Sequence, residues 1–181
     1  MIICFIGTVG SGKTLGMTRE AHNYFRRGHT VYTNYGVTFP HVTLDSKRFQ
    51  KMIEEREELQ NCVICLDEVH VWIDSRTSMK KRQRMMTYFI LQTRKRNVRL
   101  LVTTQHFDQI DKRLRNSVDI LVFCKNLSNK SSLVVNDGYT VLEQVSMEQY
   151  GLNPPLRQVY IANRYYQLFD TSEIIDFLGE D

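Results

Sequence analysis

At 181 residues, 42% hydrophobic and 24% charged, the chain has ordinary globular composition and the length of one α/β domain with a sizeable core. Its formal net charge of +4 is mild, so the distribution of charge carries more information than the total. No apolar run approaches transmembrane length, and the first one lacks a signal peptide's charged start and small-residue cleavage site, so the expectation is a cytoplasmic protein without a transmembrane segment.

The elements follow in order. An apolar strand over 2–6 feeds a glycine-rich loop over 7–12 and a helix from about 13 to 27, then a strand over 30–35. A poorly patterned stretch carries Pro40. It is followed by a charged helix near 46–60, where Glu54-Glu55-Arg56-Glu57-Glu58 reads as a solvated face, and by a strand over 62–67. Next come a polar loop at 72–79, a helix near 80–96, a strand over 98–104, a short helix around 108–116 and a strand over 118–124. Alternation of helices with apolar, β-branched strands argues for a parallel sheet covered on both faces.

Beyond about residue 127 the pattern becomes β-rich. Ser128-Asn129-Lys130 and Asn136-Asp137-Gly138 read as turns, with 132–135 and 139–146 as a hairpin. Asn153-Pro154-Pro155 interrupts the chain, Gln158 to Phe169 reads as one or two strands, and a short helix covers 172–178. The expected organisation is a core over 1–127 and a β-rich C-terminal extension of the same domain over 128–181. Of the four cysteines, Cys62 and Cys65 have the spacing of a zinc or redox pair. Strand alternation sends them to opposite faces and no second pair completes a tetrahedral site, so all four, with Cys4 and Cys124, read as buried thiols.

The chemistry concentrates in two places. Gly7-Thr8-Val9-Gly10-Ser11-Gly12-Lys13-Thr14 fills every fixed position of the phosphate-loop pattern, in the required strand–loop–helix context. Gly7, Val9, Gly10, Ser11, Gly12, Lys13, Thr14 and Leu15 are the expected nucleotide-binding residues, because successive backbone N–H groups and a helix N-terminus converge on an oxyanion there. Lys13 is expected to reach the β- and γ-phosphates of a nucleoside triphosphate, and Thr14 to ligate Mg²⁺. The second place is the end of the strand Val63-Ile64-Cys65-Leu66-Asp67-Glu68. Asp67 is the expected Mg²⁺ partner and Glu68 the base that orients and deprotonates water. Thr103-Thr104-Gln105 brings a polar group to the same sheet edge. The strand-end Asp67-Glu68 pair resembles the ATP-hydrolysing P-loop branch, and that resemblance implies Gln105 as the residue that senses the γ-phosphate and positions water. His70 reads either as a partner of the base or as a packed loop histidine, and Trp72 and Met79 as packing or as a nucleic-acid-contacting loop.

From Ser75 through Phe107 there is no acidic residue, and nine basic ones fall between Arg76 and Arg99: Arg76, Lys80, Lys81, Arg82, Arg84, Arg94, Lys95, Arg96 and Arg99. They flank Met85-Met86 and Tyr88-Phe89-Ile90-Leu91. A solvated helix face normally mixes signs, so the basic stretch 76–99 points to nucleic acid bound through its phosphates, without sequence-specific readout.

Together these residues resemble the FtsK–HerA superfamily of DNA-pumping P-loop ATPases, and more closely its Zot-like branch. That branch includes assembly proteins of filamentous phages and is similar to viral genome-packaging ATPases. The likeness is carried by Gly7–Thr14, Val31-Tyr32-Thr33-Asn34, Cys65-Leu66-Asp67-Glu68-Val69-His70, Leu101-Val102-Thr103-Thr104-Gln105 with Ile110–Arg115, and Tyr166-Gln167-Leu168-Phe169-Asp170-Thr171. It implies an α/β three-layer P-loop NTPase sandwich of the ASCE type, with a mostly parallel central sheet and a small β-rich C-terminal extension. It further implies a homo-oligomeric ring of five or six subunits, in which an arginine completes a neighbour's site. Arg94 is the first candidate, ahead of Arg96 and Arg115. The phage assembly proteins continue into a membrane anchor and this sequence has none, which favours a motor in the cytoplasm (the host's, if viral). The expected function is a DNA translocase packaging a viral genome, with a capsid portal or virion protein as a further partner. The alternative is a virion-assembly or export ATPase acting on protein partners at a membrane. A small-molecule phosphotransferase fits the length, but neither Asp67-Glu68 nor the basic stretch.

Overall fold

The computed structural model describes residues 1–55, 59–72, 87–88, 90–93, 97–127, 133–140 and 155–170. Among them, eight strands make one sheet: β1 (Ile2–Ile6), β2 (Thr30–Thr33), β3 (Val42–Thr43), β4 (Cys62–Leu66), β5 (Arg99–Thr104), β6 (Ile120–Asn126), β7 (Leu133–Thr140) and β8 (Leu156–Ile161). Their order is β3-β2-β4-β5-β1-β6-β7-β8. Every pair from β3 to β6 is parallel, and β7 and β8 join antiparallel. The helices are α1 (Lys13–Phe25), α2 (Ser46–Glu54), α3 (Val69–Trp72) and α4 (Lys112–Arg115), with further helical residues at 87–88 and 90–93.

The central strands are apolar on both faces because both are covered. Ile2, Cys4 and Ile6 of β1, Cys62, Ile64 and Leu66 of β4, and Leu100 and Val102 of β5 fill one half of the core with Met52 of α2 and Leu114 of α4. Ile3, Phe5, Val63, Cys65 and Leu101 point the other way, onto Leu15, Met17, Ala21 and Tyr24 of α1. Tyr88 and Ile90 pack on the first half, as the apolar middle of the basic stretch requires, whereas Leu91 is exposed. Cys62 and Cys65 do lie on opposite faces, and all four cysteines are buried free thiols.

Several elements depart from the sequence reading. Asn136-Asp137-Gly138 is no turn: it lies in the middle of β7, paired with β6 on one side and β8 on the other. Turn-forming residues sit in a strand here because each has a tertiary partner. The Asn136 amide donates to Tyr160 Oη at 3.1 Å, and Asp137 accepts two bonds from Arg157, at 2.7 and 3.0 Å. The antiparallel partner that precedes β7 in the chain is β6, and Leu127 N–H donates to Leu133 O at 2.9 Å across their connection. Residues 128–130, the second hairpin arm at 141–146 and the helix at 172–178 lie outside the described residues. The stretch after Pro40 holds the two-residue β3, too short to leave a period. Past β8 the chain turns through two 3₁₀ segments, Ala162–Arg164 and Tyr166–Leu168, and Phe169 bridges to Val37. The short helix expected at 108–116 is a 3₁₀ turn over Phe107–Gln109 followed by α4.

The second layer and the outer strands meet at Gly16. A Cβ there would lie 2.6 Å from Asn136 Nδ2 and 3.2 Å from Tyr160 Oη, so only a glycine lets α1 approach β7 and β8 this closely. Alanine improves helix propensity by about 1 kcal/mol in open space. At this position Gly16→Ala is expected to lower stability by ~1–3 kcal/mol through overpacking, measured by denaturant unfolding. The loss should shrink in an Asn136→Ala background; additive effects of the two changes would refute the contact.

Candidate functional site

The phosphate loop leaves β1 at the carboxyl edge of the sheet, where strand order places β1 between β5 and β6. Gly10 and Gly12 adopt φ of +74° and +89°, a region side chains disfavour, and this curls the loop onto the start of α1. Ser11 N–H closes the loop on Thr8 O at 3.1 Å, while Val9 stands at the exposed tip. Lys13 is buried, with Nζ 3.3 Å from Thr8 O and 3.8 Å from Glu68 Oε1. The Thr14 hydroxyl donates to Asp67, lying 3.0 Å from Oδ1 and 3.1 Å from Oδ2. Leu15 turns into the core.

Asp67 is held from three further directions. Its N–H donates to Asn34 Oδ1 at 2.7 Å, its carbonyl accepts from Asn34 Nδ2 at 3.0 Å, and Thr103 Oγ1 donates to Oδ1. The Thr103 hydroxyl in turn accepts the Glu68 N–H at 2.8 Å. Burial pushes the Asp67 carboxyl above its usual range, against the hydroxyls of Thr103 and Thr14 and the charge of Lys13, which pull it down. The Glu68 carboxyl is also raised, by desolvation first and by Asp67 next; Lys13 and His70 oppose the shift. Glu68 stands at φ +46°, a backbone conformation uncommon for a residue with a Cβ. His70 Nδ1 lies 3.4 Å from Glu68 Oε2 and 3.4 Å from Thr104 Oγ1. Of its two readings, the geometry gives His70 a place beside the expected base.

A cavity of about 250 Å³ opens beside these groups, lined by Gly10, Gly12, Lys13, Thr14, Leu15 and Asp67 on one side. Tyr35, Asn126, Val134, Tyr166, Phe169 and Asp170 form the rest of its wall. A buried lysine at the mouth of an N–H-lined loop suits a triphosphate. A hydroxyl and a carboxylate are hard oxygen donors, the kind Mg²⁺ takes when phosphates complete its shell. Among the described residues no group of three or more His, Cys, Asp or Glu is placed to hold a metal ion.

The structure thus brings together Gly10, Gly12, Lys13, Thr14, Asp67 and Glu68. Gln105 follows β5 at the same edge, half-buried. Arg94 and Arg96, with Arg76, Lys80, Lys81, Arg82, Arg84, Lys95 and Met79, lie outside the described residues. Arg115 is described, with Nη1 3.4 Å from Asp108 O. Sequence reasoning missed the site roles of Asn34 and Thr103. Thr103 stood in plain view in the polar end of β5, and Asn34 directly after β2, three residues past the buried Val31, but their shared partner Asp67 follows β4, far along the chain. Among the described residues no helix is long and apolar enough to cross a membrane.

Comparison with known proteins shows the family and the fold. The chain is 26% identical over 93% of its length to the Gene 1 protein of Enterobacteria phage I2-2, and spans 55%, about half, of that relative. Among solved structures it is similar to the N-terminal domain of zonular occludens toxin from Neisseria meningitidis, with a TM-score of 0.63 and 24% identity over 93% of this chain and 98% of that one. It also shares its fold with the genome packaging NTPase B204 from Sulfolobus turreted icosahedral virus 2, solved in complex with ATP-gammaS, at a TM-score of 0.54 and 11% identity, covering 88% of this chain and 96% of that one. Over residues 3–126 the sequence matches the model for the ATPase family associated with various cellular activities (AAA), and the chain belongs to that family as a P-loop ATPase.

Proposed function

We propose that the chain is the motor subunit of a homomeric ring of five or six copies that hydrolyses ATP to move DNA into a viral capsid, with a portal or virion protein as partner. The observation that carries it is the meeting of Lys13, Thr14 and Asp67 in the wall of one cavity, with the Glu68 carboxylate 3.8 Å from Lys13 Nζ. Loop N–H groups and Lys13 hold the phosphates. Thr14 and Asp67 are the residues to hold Mg²⁺, which when bound neutralises charge on the β- and γ-phosphate oxygens. Glu68 orients a water in line with the γ-phosphorus and accepts its proton as the new P–O bond forms. The bond to the β–γ bridging oxygen breaks, giving ADP and inorganic phosphate. A raised carboxyl pKa makes Glu68 a stronger base than an exposed glutamate, and His70 Nδ1 lies 3.4 Å from its second oxygen. Gln105 senses the γ-phosphate, and Arg94 of a neighbouring copy, ahead of Arg96 and Arg115, offsets transition-state charge. The core over 1–127 and the extension over 128–181 act as one domain in the cytoplasm. The acid-free run from Ser75 to Phe107 supports DNA as the cargo.

A second reading has its own support. The likeness to a phage Gene 1 protein and to a zonular occludens toxin domain covers 93% of the chain in both cases. On that reading the same site drives virion assembly or export through protein partners at a membrane.

The two readings separate in steady-state ATPase assays with and without duplex DNA at two salt concentrations. The packaging reading expects stimulation that falls steeply with salt, as counterion release requires. Robust hydrolysis indifferent to DNA would move the assignment to the assembly reading. Glu68→Gln should cut turnover by roughly 10²–10⁴-fold or more while ATP affinity stays within a few-fold; near-normal hydrolysis would remove Glu68 from the role of base. Asp67→Asn keeps an acceptor for Thr103 and relieves a buried charge. Its ligand-free melting temperature should match or exceed that of the unsubstituted protein while turnover collapses, and a large drop in melting temperature would contradict this account of the site. Arg94→Ala subunits mixed with Glu68→Gln subunits should recover hydrolysis that neither has alone, because each supplies what the other lacks. No recovery would exclude a trans role for Arg94.

A further inference from the structure

The cavity that holds Lys13, Thr14 and Asp67 is also walled by Asn126 at the end of β6, Val134 at the start of β7, and Tyr166. The segment bearing Tyr166 crosses from β8 over α1 to the loop after β2. Phe169 bridges to Val37 there and packs edge-to-face on Tyr35, with centroids 6.4 Å apart. Thr38 fastens it twice more: its N–H donates to Leu168 O and its hydroxyl to Gln167 O, both at 2.9 Å. At the other end Tyr165 meets the Tyr160 ring at 5.5 Å, and the Arg19 guanidinium stands 5.4 Å from the Tyr165 centroid. The strap is pinned on both sides of Tyr166.

Tyr166 itself is the exception. It is 44% exposed at the cavity wall, and among the described residues no ring or cation stacks on it. A rigidly mounted, uncovered aromatic face beside a phosphate loop is a surface for another planar π-system. We infer that this wall is the nucleoside subsite, with the Tyr166 ring stacking on the purine base of the bound nucleotide and Asn126, which carries both a donor and an acceptor, meeting its polar edge. The inference rests on the reading that the loop holds a triphosphate, and adds which residues recognise the rest of the molecule. It also gives the strap a function: its anchors on Val37 and Thr38 fix the distance between the stacking ring and Lys13.

Calorimetric binding of two ligands, ATP and inorganic tripolyphosphate, tests it without recourse to turnover. Tyr166→Ala should weaken ATP by about tenfold, in the range of one base-stacking contact, and leave tripolyphosphate unchanged. Tyr166→Phe should bind both like the unsubstituted protein, since the ring and not the hydroxyl is used. ATP binding undiminished in Tyr166→Ala overturns the subsite. Equal losses of both ligands overturn it too, in favour of a structural role for the ring. Unsubstituted protein that binds tripolyphosphate as tightly as ATP overturns the subsite alone, whereas failure to bind either ligand overturns the phosphate-site reading beneath it.

Discussion

A carboxylate taken out of water at the end of β4 organises this molecule. Asp67 receives hydroxyls from α1 and from β5, and its own peptide group is clasped by the Asn34 amide beyond β2. An isolated buried carboxylate costs several kcal/mol, so these donors are what make the position tolerable. The consequence is geometric. Three parallel strands and the first helix are held in register at the one edge where the phosphate loop also emerges. Burial still wins over the donors, leaving the carboxyl above its usual range. Charge is therefore kept in this site at a cost to folding, and a cation or a phosphate-bound metal is the natural way to offset it.

Glu68 extends the same logic to the backbone. The chain must leave β4 and enter α3 within two residues, and it does so by putting Glu68 at φ +46°. Strain of this kind, of order ~1–3 kcal/mol, persists only where neighbours over-determine it. Here the Thr103 hydroxyl catches the Glu68 N–H, and Lys13 and His70 face its two carboxylate oxygens. Thr103 thus serves both acids, accepting from one and donating to the other. Its hydroxyl fixes the relative placement of Asp67 and Glu68 more directly than either side chain could alone.

What was legible in the sequence follows from the range over which each constraint acts. The phosphate loop reads completely, because curling a backbone around an oxyanion demands particular residues at consecutive positions. The strand-end Asp67-Glu68 pair reads almost as well, since apolar strand followed by acid is a local pattern. Asn34 and Thr103 did not, because each meets Asp67 only through strand neighbours dozens of residues away. Asn136-Asp137-Gly138 misled for the opposite reason. Its local chemistry is that of a turn, but the Asn136 bond to Tyr160 and the paired bonds of Asp137 with Arg157 outweigh local preference inside β7. β3, at two residues, lies below the length at which alternation carries information.

The outer strands also bear on the phosphate loop itself. A Cβ on Gly12 would stand 3.0 Å from the Val134 side chain of β7, and one on Gly7 2.6 Å from Cys124 O of β6. Gly7 and Gly12 are therefore required twice, once by the curl of the loop and once by the strands pressed beneath it. Gly16 repeats the contact one turn further along α1, against Asn136 of β7. A loop seated this tightly cannot shift toward the outer strands without moving them, because interiors packed at this density transmit displacement instead of absorbing it.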